Sequence, residues 1–395
     1  MGAGDGNLSD KIKILMIGPY PPPYSGPEIS MKLFLDSRLK DEFDLHFLKT
    51  NFRKDNVKKG RFDIAMVVAF WVFFSKLLCE LTFHRPDLVY YPITPTILGW
   101  IGRDALVLIL CRIFRIKSVI HLRGSHFRLN FNTFNPYVQK LIRFATRDVA
   151  VGIVQADYLH DEFSVILPPD RIKTLYQAID TKNFPFKVKK FDTNSKKKVL
   201  FVGHLTQAKG FCDLLEAIPK VLKQCPETEF QFAGNMRRGE RGVFFNQFSG
   251  QRLVYADPFA AESRLLENIS PSCYRNLGII IGEKKMKYFH EADVFVMPSY
   301  SEGFSRALLE ALSMGKAVVY TPVGAHREIM EDGVNGVEVL PGDVAGLAGA
   351  IVGLLKNPDK CMQIGKENSQ YARTRFDINL IVNSLSEIFR KVVRN

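Results

Sequence analysis

The sequence holds little of what marks a secreted, membrane-spanning or metal-dependent protein. Its six cysteines (Cys79, Cys111, Cys212, Cys225, Cys273, Cys361) are scattered over 395 residues with no Cys-x-x-Cys pair. That argues against a disulfide framework or a zinc ribbon and fits reduced thiols in a cytoplasmic protein. There is no Asp-x-Asp, and no His/Cys cluster at metal-ligand spacing, so no metal site and no bound cofactor are expected. The start, MGAGDGNLSDK, is short and polar and does not read as a signal peptide. It also misses the myristoylation pattern, because Gly6 stands where Ser or Thr is needed. The longest apolar run, Ile64 to Phe74, is shorter than the ~20 residues a bilayer requires. A buried helix is the simpler reading of this run and a helix lying on a membrane surface the sharper one.

What the chain does have is basic charge, 54 Lys and Arg against 41 Asp and Glu, for a net +13. Nine of the basic residues lie between Arg103 and Arg147, with Asp104 the one acid among them. Such a stretch is either a set of solvated helix faces or a patch that attracts anionic lipid, nucleic acid or a phosphorylated substrate.

Strand and helix patterns alternate along both halves of the chain. In the first half the apolar strand Ile12 to Ile17 leads into a loop and a helix from Ile29 to Leu39. Strands are expected at Leu45 to Leu48, Leu88 to Tyr91, Ser118 to Leu122, Val149 to Val154 and Ile172 to Leu175, with helices at Arg103 to Phe114 and Pro136 to Phe144. The segment FPFKVKKFDTNSKKK, Phe184 to Lys198, has a linker's composition. The alternation then restarts: strands at Val199 to Val202, Glu229 to Ala233, Gly278 to Gly282, Val294 to Met297, Ala317 to Tyr320 and Val337 to Val339. Helices are expected at Phe211 to Lys223, kinked by Pro219, at Phe304 to Met314, and from Val344 onward. Such alternation predicts two α/β domains, each with a parallel sheet covered on both faces, whose strand ends face a common cleft. Met236 to Leu277 is too long for a plain connection and suggests an extra helix.

Four stretches carry chemistry. In PSYSEGFSRALLEALSMGKAVV, Pro298 to Val319, a strand ends and a helix begins near Glu302 and Gly303. Backbone N–H groups there (Gly303, Phe304, Ser305) would form an anion site. Arg306 in the first helical turn is unfavourable by a few tenths to ~1 kcal/mol unless an anion binds at that end. Glu302 and Glu310 are expected ~9–12 Å apart along the axis, at or beyond the separation of a glycosidase carboxylate pair, and suited to gripping two ends of one elongated ligand. In VLFVGHLTQAKGF, Val199 to Phe211, Lys209 at a helix start again calls for an anion. The stretch is neither a Walker loop nor a GxGxxG fingerprint. In GPYPPPYSGPEIS, Gly18 to Ser30, Gly26 permits close approach after the first strand and Pro27 fits the start of a helix. In VIHLRGSHF, Val119 to Phe127, His121 and Arg123 share one face near a strand end, where reacting groups of a parallel sheet belong, although a lone strand histidine is commonly a core residue.

These stretches resemble glycosyltransferase family 4, a large retaining group with the GT-B fold. The resemblance covers nearly the whole chain and is weakest over Ile64 to Trp100 and Met236 to Leu277. Its most specific element is Glu302-x7-Glu310 in PSYSEGFSRALLEAL. VGHLTQAKG is similar to the family's phosphate loop and LYQAIDTKNF to its domain-boundary segment. GEKKMKYFHEADVFVMPS and TPVGAHREIMEDGVNG also follow its pattern. The resemblance implies an acceptor-side domain over 1–183, a linker over 184–198, a nucleotide-sugar-binding domain over 199–375, and a final helix over 376–395 returning toward the first domain. It implies that Glu310 binds the ribose hydroxyls, that Glu302 with the Gly303, Phe304 and Ser305 backbone holds donor sugar and diphosphate, and that Lys209 binds the diphosphate. Asn235 would line the nucleotide pocket, Gly282 and its neighbour Ile281 would present backbone to the base, and the Gly26 loop would approach donor or acceptor. Two positions depart from the pattern: His204 stands where many members have Arg, and Arg123 where many have the His that contacts the donor sugar, which leaves Arg123, His121 or His126 to fill that role.

The implied activity is a metal-independent transfer of a hexosyl group, with retention, from a nucleotide-diphosphate sugar. The donor is expected to be a uridine diphosphate sugar, and the acceptor lipid-linked or a growing surface polysaccharide. The basic first domain fits an anionic membrane surface at the cytoplasmic face. A nucleotide-sugar epimerase with the same fold would share the clamp. A nucleic-acid-binding protein would explain the charge but not the glutamate pair, and there is no interleaved aromatic-basic motif.

Overall fold

The computed structural model describes residues 11–22, 24–50, 64–187, 196–237, 245–253 and 256–394, with the backbone only at 64–67. The chain forms two compact units, Met1–Ala178 with Ile378–Asn395, and Ile179–Asp377.

The first unit is built on six parallel strands: β1 Lys13–Gly18, β2 Asp44–Lys49, β3 Leu88–Ile93, β4 Lys117–Leu122, β5 Val151–Val154 and β6 Ile172–Thr174. The central strands are near-continuous apolar runs because helices cover both faces of a parallel sheet; every residue of β3 is buried. The order β2-β1-β3-β4-β5-β6 reverses at β1, so the crevice beyond the carboxyl ends of β1 and β3 is the topological switch point. Helix Gly26–Leu35 follows β1, beginning three residues earlier than its apolar pattern suggested because Pro27 is accommodated at the helix start. Helix Ile378–Arg394 belongs to this unit. Its Val382, Leu385 and Phe389 join Ile14, Met16, Leu88, Tyr90 and Val119 in one core.

The Ile64 run is the first part of a longer helix, Ile64–Cys79, extended by a π turn, Glu80–His84. Phe73, Phe74 and Leu77 face inward, whereas Val68, Trp71, Val72 and Leu78 are exposed. No helix among the described residues is long and apolar enough to cross a membrane. Within the basic stretch, Arg103 pairs with the fully buried Asp104 and Arg112 with Asp148, which leaves fewer unmatched cations than the residue count suggests.

The second unit has the strands β7 Lys197–Val202, β8 Thr228–Ala233, β9 Tyr274–Gly278, β10 Val294–Met297, β11 Ala317–Tyr320 and β12 Val337–Glu338, all parallel, in the order β12-β11-β10-β7-β8-β9. The order reverses between β7 and β10, which defines the second switch point. The strand expected at Gly278 to Gly282 lies earlier, at 274–278. The apolar residues that suggested it, Ile279 and Ile281, are exposed in the turn before helix Gly282–Glu291. Pro219 sits inside helix Phe211–Leu222. The extra helix of the long connection is Pro258–Leu266. Of the lysine-rich segment, 184–187 lie with this unit, where Ser313 Oγ donates to the Phe184 carbonyl at 2.7 Å, and 188–195 lie outside the described residues.

Candidate functional site

At the second switch point the loop after β7 and the loop after β10 lie against each other. Gly210, in the left-handed region at φ 68°, caps helix Phe211–Leu222, and a Cβ there would come within 2.0 Å of the Pro298 carbonyl oxygen. Gly324, at φ 54°, is held as tightly: its Cβ would lie 2.2 Å from the Glu302 carbonyl oxygen. Only glycine tolerates this combination of positive φ and backbone approach. The segment Pro298 to Gly303 is therefore clamped between two loops and its side chains are fixed by backbone geometry.

That clamp brings Lys209 and Glu302 together. Lys209 ends a short 3-10 turn, Gln207–Lys209, and its Nζ lies 2.8 Å from Glu302 Oε1. Ser299 Oγ donates to the same oxygen at 2.9 Å. Gln247, from the long connection, pairs with the Glu302 backbone in both directions: its Nε2 donates to the Glu302 carbonyl and its Oε1 accepts the Glu302 N–H, each at 3.0 Å. Burial pushes the Glu302 carboxyl up, but Lys209, His326 and the Ser299 hydroxyl together outweigh it and hold the carboxyl below its ordinary value near 4.5. His326 is fully buried, its Nδ1 is 3.0 Å from the Thr321 carbonyl, and burial pushes its own pKa down more than Glu302 raises it. At neutral pH the imidazole is uncharged, so the cation that keeps Glu302 ionised is Lys209. The anion that Lys209 required is thus supplied by the protein itself.

The helix after this loop starts later than expected, at Arg306, with Ser305 as N-cap; Ser305 Oγ accepts the Leu308 N–H at 3.3 Å. Gly303 and Phe304 lie outside the helix. The Gly303 carbonyl accepts the Ala325 N–H at 2.9 Å, and the Phe304 ring packs edge-on against Phe376. Arg306 occupies the first turn, as the sequence implied. Glu310, one turn further and buried, is paired with Lys285 Nζ at 2.5 Å. Lys285 comes from helix Gly282–Glu291, whose first residue is Gly282. His204 and Asn235 follow β7 and β8; both are half-buried, and the Leu205 N–H donates to the Asn235 carbonyl at 3.1 Å.

Gly26, His121 and Arg123 lie in the first unit. Gly26 is the first residue of its helix, and its carbonyl accepts from Ser30 Oγ at 2.8 Å. Tyr90 links the other two. Arg123 Nη2 donates to the Tyr90 hydroxyl oxygen at 2.8 Å, and that hydroxyl lies 2.7 Å from His121 Nδ1. With the oxygen accepting from Arg123, the phenol proton is directed to Nδ1, and the imidazole proton sits on Nε2. Burial, and then the Arg123 charge, push the His121 pKa well down, so the ring is neutral. His121 is 1% exposed, an enclosed member of the network; Arg123, half-buried and lying over the Phe34 ring, is the member that reaches the surface.

Sequence reasoning missed Lys285, Gln247, His326 and Tyr90. Each lies far along the chain from the residue it serves, and no local pattern links them. It also missed a His and Glu group, His46, Glu80 and His84, because the i,i+4 pair Glu80 and His84 is common on helices and His46 joins it from 34 residues earlier in the chain.

Residues 196–357 match the family model of glycosyl transferases group 1. A glycogen synthase of Mycobacterium tuberculosis is 25% identical over 233 residues, 58% of this chain and 51% of that protein. A phosphatidyl-myo-inositol mannosyltransferase of Mycobacterium leprae is 29% identical over 201 residues, 50% of this chain and 47% of its own. The chain thus spans about half the length of these curated relatives. Among solved structures, sucrose-phosphate synthase from Thermosynechococcus elongatus superposes with a TM-score of 0.74 at 14% identity, covering 96% of this chain and 99% of the other. Anabaena HepE in complex with UDP superposes with a TM-score of 0.69 at 19% identity, covering 96% and 100%. Residues 196–357 thus match the model of group 1 glycosyl transferases, and the likeness to these solved structures shows that the chain has the GT-B fold.

Proposed function

We propose that this protein is a retaining, metal-independent glycosyltransferase of the family 4 type, moving a hexosyl group from a nucleotide-diphosphate sugar to a hydroxyl acceptor. The observation that carries the reading is the pair of ion pairs at one switch point, Lys209 with Glu302 and Lys285 with Glu310, in which a half-buried lysine meets a buried carboxylate. A diphosphate arriving beside Lys209 takes over its charge, which frees the Glu302 carboxylate to accept hydrogen bonds from sugar hydroxyls. Glu310 accepts from the ribose hydroxyls, Asn235 and the Gly282 backbone border the nucleotide, and His204, Arg306 and the backbone of Gly303, Phe304 and Ser305 border the diphosphate. As the glycosidic bond breaks, charge grows on the departing diphosphate and these groups hold it more tightly than in the ground state. Attack from the same face, with the leaving phosphate oxygen taking the acceptor proton, accounts for retention. In the first unit Arg123 is the group offered to an anionic acceptor, with Tyr90 and His121 holding it in place.

Uridine diphosphate is the nucleotide proposed, in line with Anabaena HepE, which was crystallised with UDP and with UDP-glucose. A lipid-linked or saccharide acceptor, at the cytoplasmic face of an anionic membrane, is proposed from the exposed apolar side of helix Ile64–Cys79 and the basic charge. The test is a mass-spectrometric screen of nucleotide sugars with and without EDTA. Transfer or slow hydrolysis of one uridine diphosphate sugar, unchanged by EDTA, is expected. Loss of all turnover in EDTA, restored by magnesium or manganese, would overturn the metal-independent mechanism.

A further inference from the structure

Three side chains of the first unit have no part in that reading, and together they have the donor set of a transition-metal site. His46 lies on β2, the edge strand of its sheet. Glu80 and His84 are the first and last residues of the π turn that extends helix Ile64–Cys79. His46 Nδ1 is 3.1 Å and His84 Nδ1 3.0 Å from one and the same oxygen, Glu80 Oε2. All three ligand atoms lie within 4.8 Å of one another. The two imidazole rings are 4.4 Å apart, centroid to centroid. Glu80 Oε2 is shielded from solvent, yet neither ring nitrogen meets it with the geometry of a hydrogen bond. Two nitrogens therefore crowd one buried oxygen without satisfying it, an arrangement that is costly unless something else binds all three.

We propose that His46, Glu80 and His84 bind a divalent cation of the zinc class. Two imidazoles and a carboxylate suit such a cation, whereas magnesium and calcium favour all-oxygen shells. A tetrahedral centre with zinc–nitrogen and zinc–oxygen bonds of about 2.0–2.2 Å sets its donor atoms about 3.3–3.5 Å apart. Both His-to-Glu separations lie within a few tenths of an ångström of that spacing. Asp44 places a carboxylate near the other side of the ring, its Oδ1 3.6 Å from His46 Nε2 and just outside hydrogen-bond distance. A short approach on metal binding would let it orient the imidazole as an outer partner. His84 is 49% exposed, so a cation has a way in and the fourth position is left to water. π turns set into helices recur at functional sites, and here Arg85, left-handed at φ 47°, ends the turn by donating its N–H to the Glu80 carbonyl at 3.1 Å. The bound cation would tie an edge strand to the turn at 80–84. None of the three is among the residues assigned to donor or acceptor in the function proposed above, so the role inferred for the site is that of a tether.

The test uses the full chain without an affinity tag, stripped with EDTA and desalted. Zinc is titrated against a chromogenic chelator, cobalt is followed by its visible absorption, and melting is recorded with and without zinc. One equivalent of zinc, cobalt bands of a low-coordinate site and a zinc-dependent rise in melting temperature are expected. His46→Ala, His84→Ala and Glu80→Gln should each lose all three signals, and Asp44→Asn should weaken zinc binding about tenfold. The altered side chains are part-exposed, and far-UV circular dichroism confirms that each variant is folded. Failure of the native chain to take up zinc overturns the proposal. So does zinc binding by folded His46→Ala and His84→Ala at native affinity, which would assign the cation to other groups.

Discussion

At the reversal of strand order in the second sheet, Lys209 meets Glu302 and Lys285 meets Glu310, so each lysine has a buried carboxylate within 3 Å. Near the corresponding reversal in the first sheet, the groups are the Tyr90 phenol, the neutral His121 imidazole and the Arg123 guanidinium. Among the described residues Arg123 has an aromatic ring and a hydroxyl for partners and no carboxylate. One fold, used twice, thus offers a self-neutralised site and a positively charged one. The difference teaches that a lysine near a helix start is not by itself a sign of a vacant anion site. In the second unit the chain stores the matching negative charge next to the cation, and under the proposed function a diphosphate would have to take the carboxylate's place.

The sharpest way to break the comparison is Lys209→Ala. Turnover should fall ~10²–10³-fold through the lost stabilisation of the leaving diphosphate. Stability should fall as well, by less than the about 3–5 kcal/mol that follows removal of one partner from a fully buried pair, because Lys209 is half-buried. The unfavourable position of a lysine at a helix start would, by itself, predict no loss. The sign of the pH dependence separates the two accounts. In the native protein the Glu302 carboxyl is held below its ordinary value, so its contribution is present above about pH 4.5 and is lost as the pH falls through its folded-state value. Without Lys209 burial dominates, the folded carboxyl rises above the unfolded one, and the destabilisation is relieved on acidification. Denaturant melts at pH 7 and pH 4.5 should therefore show the gap between variant and native narrowing at the lower pH. A constant gap would mean that Lys209 does not govern the ionisation of Glu302.

Glu310→Gln sharpens the same half of the comparison. Calorimetry with the free nucleotide should show a loss of about 1.5–3 kcal/mol in binding, the worth of a charge-assisted hydrogen bond. Unchanged affinity would remove the ribose role and leave Glu310 as the structural partner of Lys285. Tyr90→Phe probes the other half. It strips His121 Nδ1 and Arg123 of their shared partner inside the protein and should cost about 1–3 kcal/mol in unfolding free energy. Nucleotide affinity should hold. A joint loss of both would show that the two units are not independently equipped. The smallest effect per residue is expected at a membrane: each unmatched basic residue near an anionic surface contributes about 1 kcal/mol, screened over ~8 Å at physiological salt. Flotation with anionic and neutral vesicles at low and high salt measures it, and Trp71→Ala should weaken whatever binding survives high salt. Equal failure to float on both vesicles at low salt would sink the membrane proposal.

The parts of this molecule that were legible in its sequence are those where one physical constraint acts along a short stretch. Central strands such as β1, β7 and β10 are buried on both faces and read as apolar runs. The edge strand β9 is half solvated, reads as YRNLG, and was misplaced onto the more apolar ILE-rich turn that follows it. The turn, by contrast, exposes Ile279 and Ile281. Lys209 and Glu302 announced themselves because in each case a loop meets a helix start. Their partners did not: the amide of Gln247 reaches Glu302 across 55 residues of chain. His46 and Glu80 meet only because β2 and the π turn are brought side by side. Strand order is a property of the whole sheet, and it decides which loops share a crevice.

The membership of residues 378–394 in the first unit has a consequence for biosynthesis. On a ribosome the segment 1–178 emerges first, but the Val382, Leu385 and Phe389 side chains that complete its core are made only after the entire second unit. Until then the face of the sheet that will receive Phe389 lacks its cover, and the early segment waits as an apolar surface for a chaperone to shield. The second unit, whose residues are contiguous from Ile179 to Asp377, has no such delay and is the part able to mature during translation. A stop codon just after Asp377 would therefore injure the unit whose larger part was made before the other.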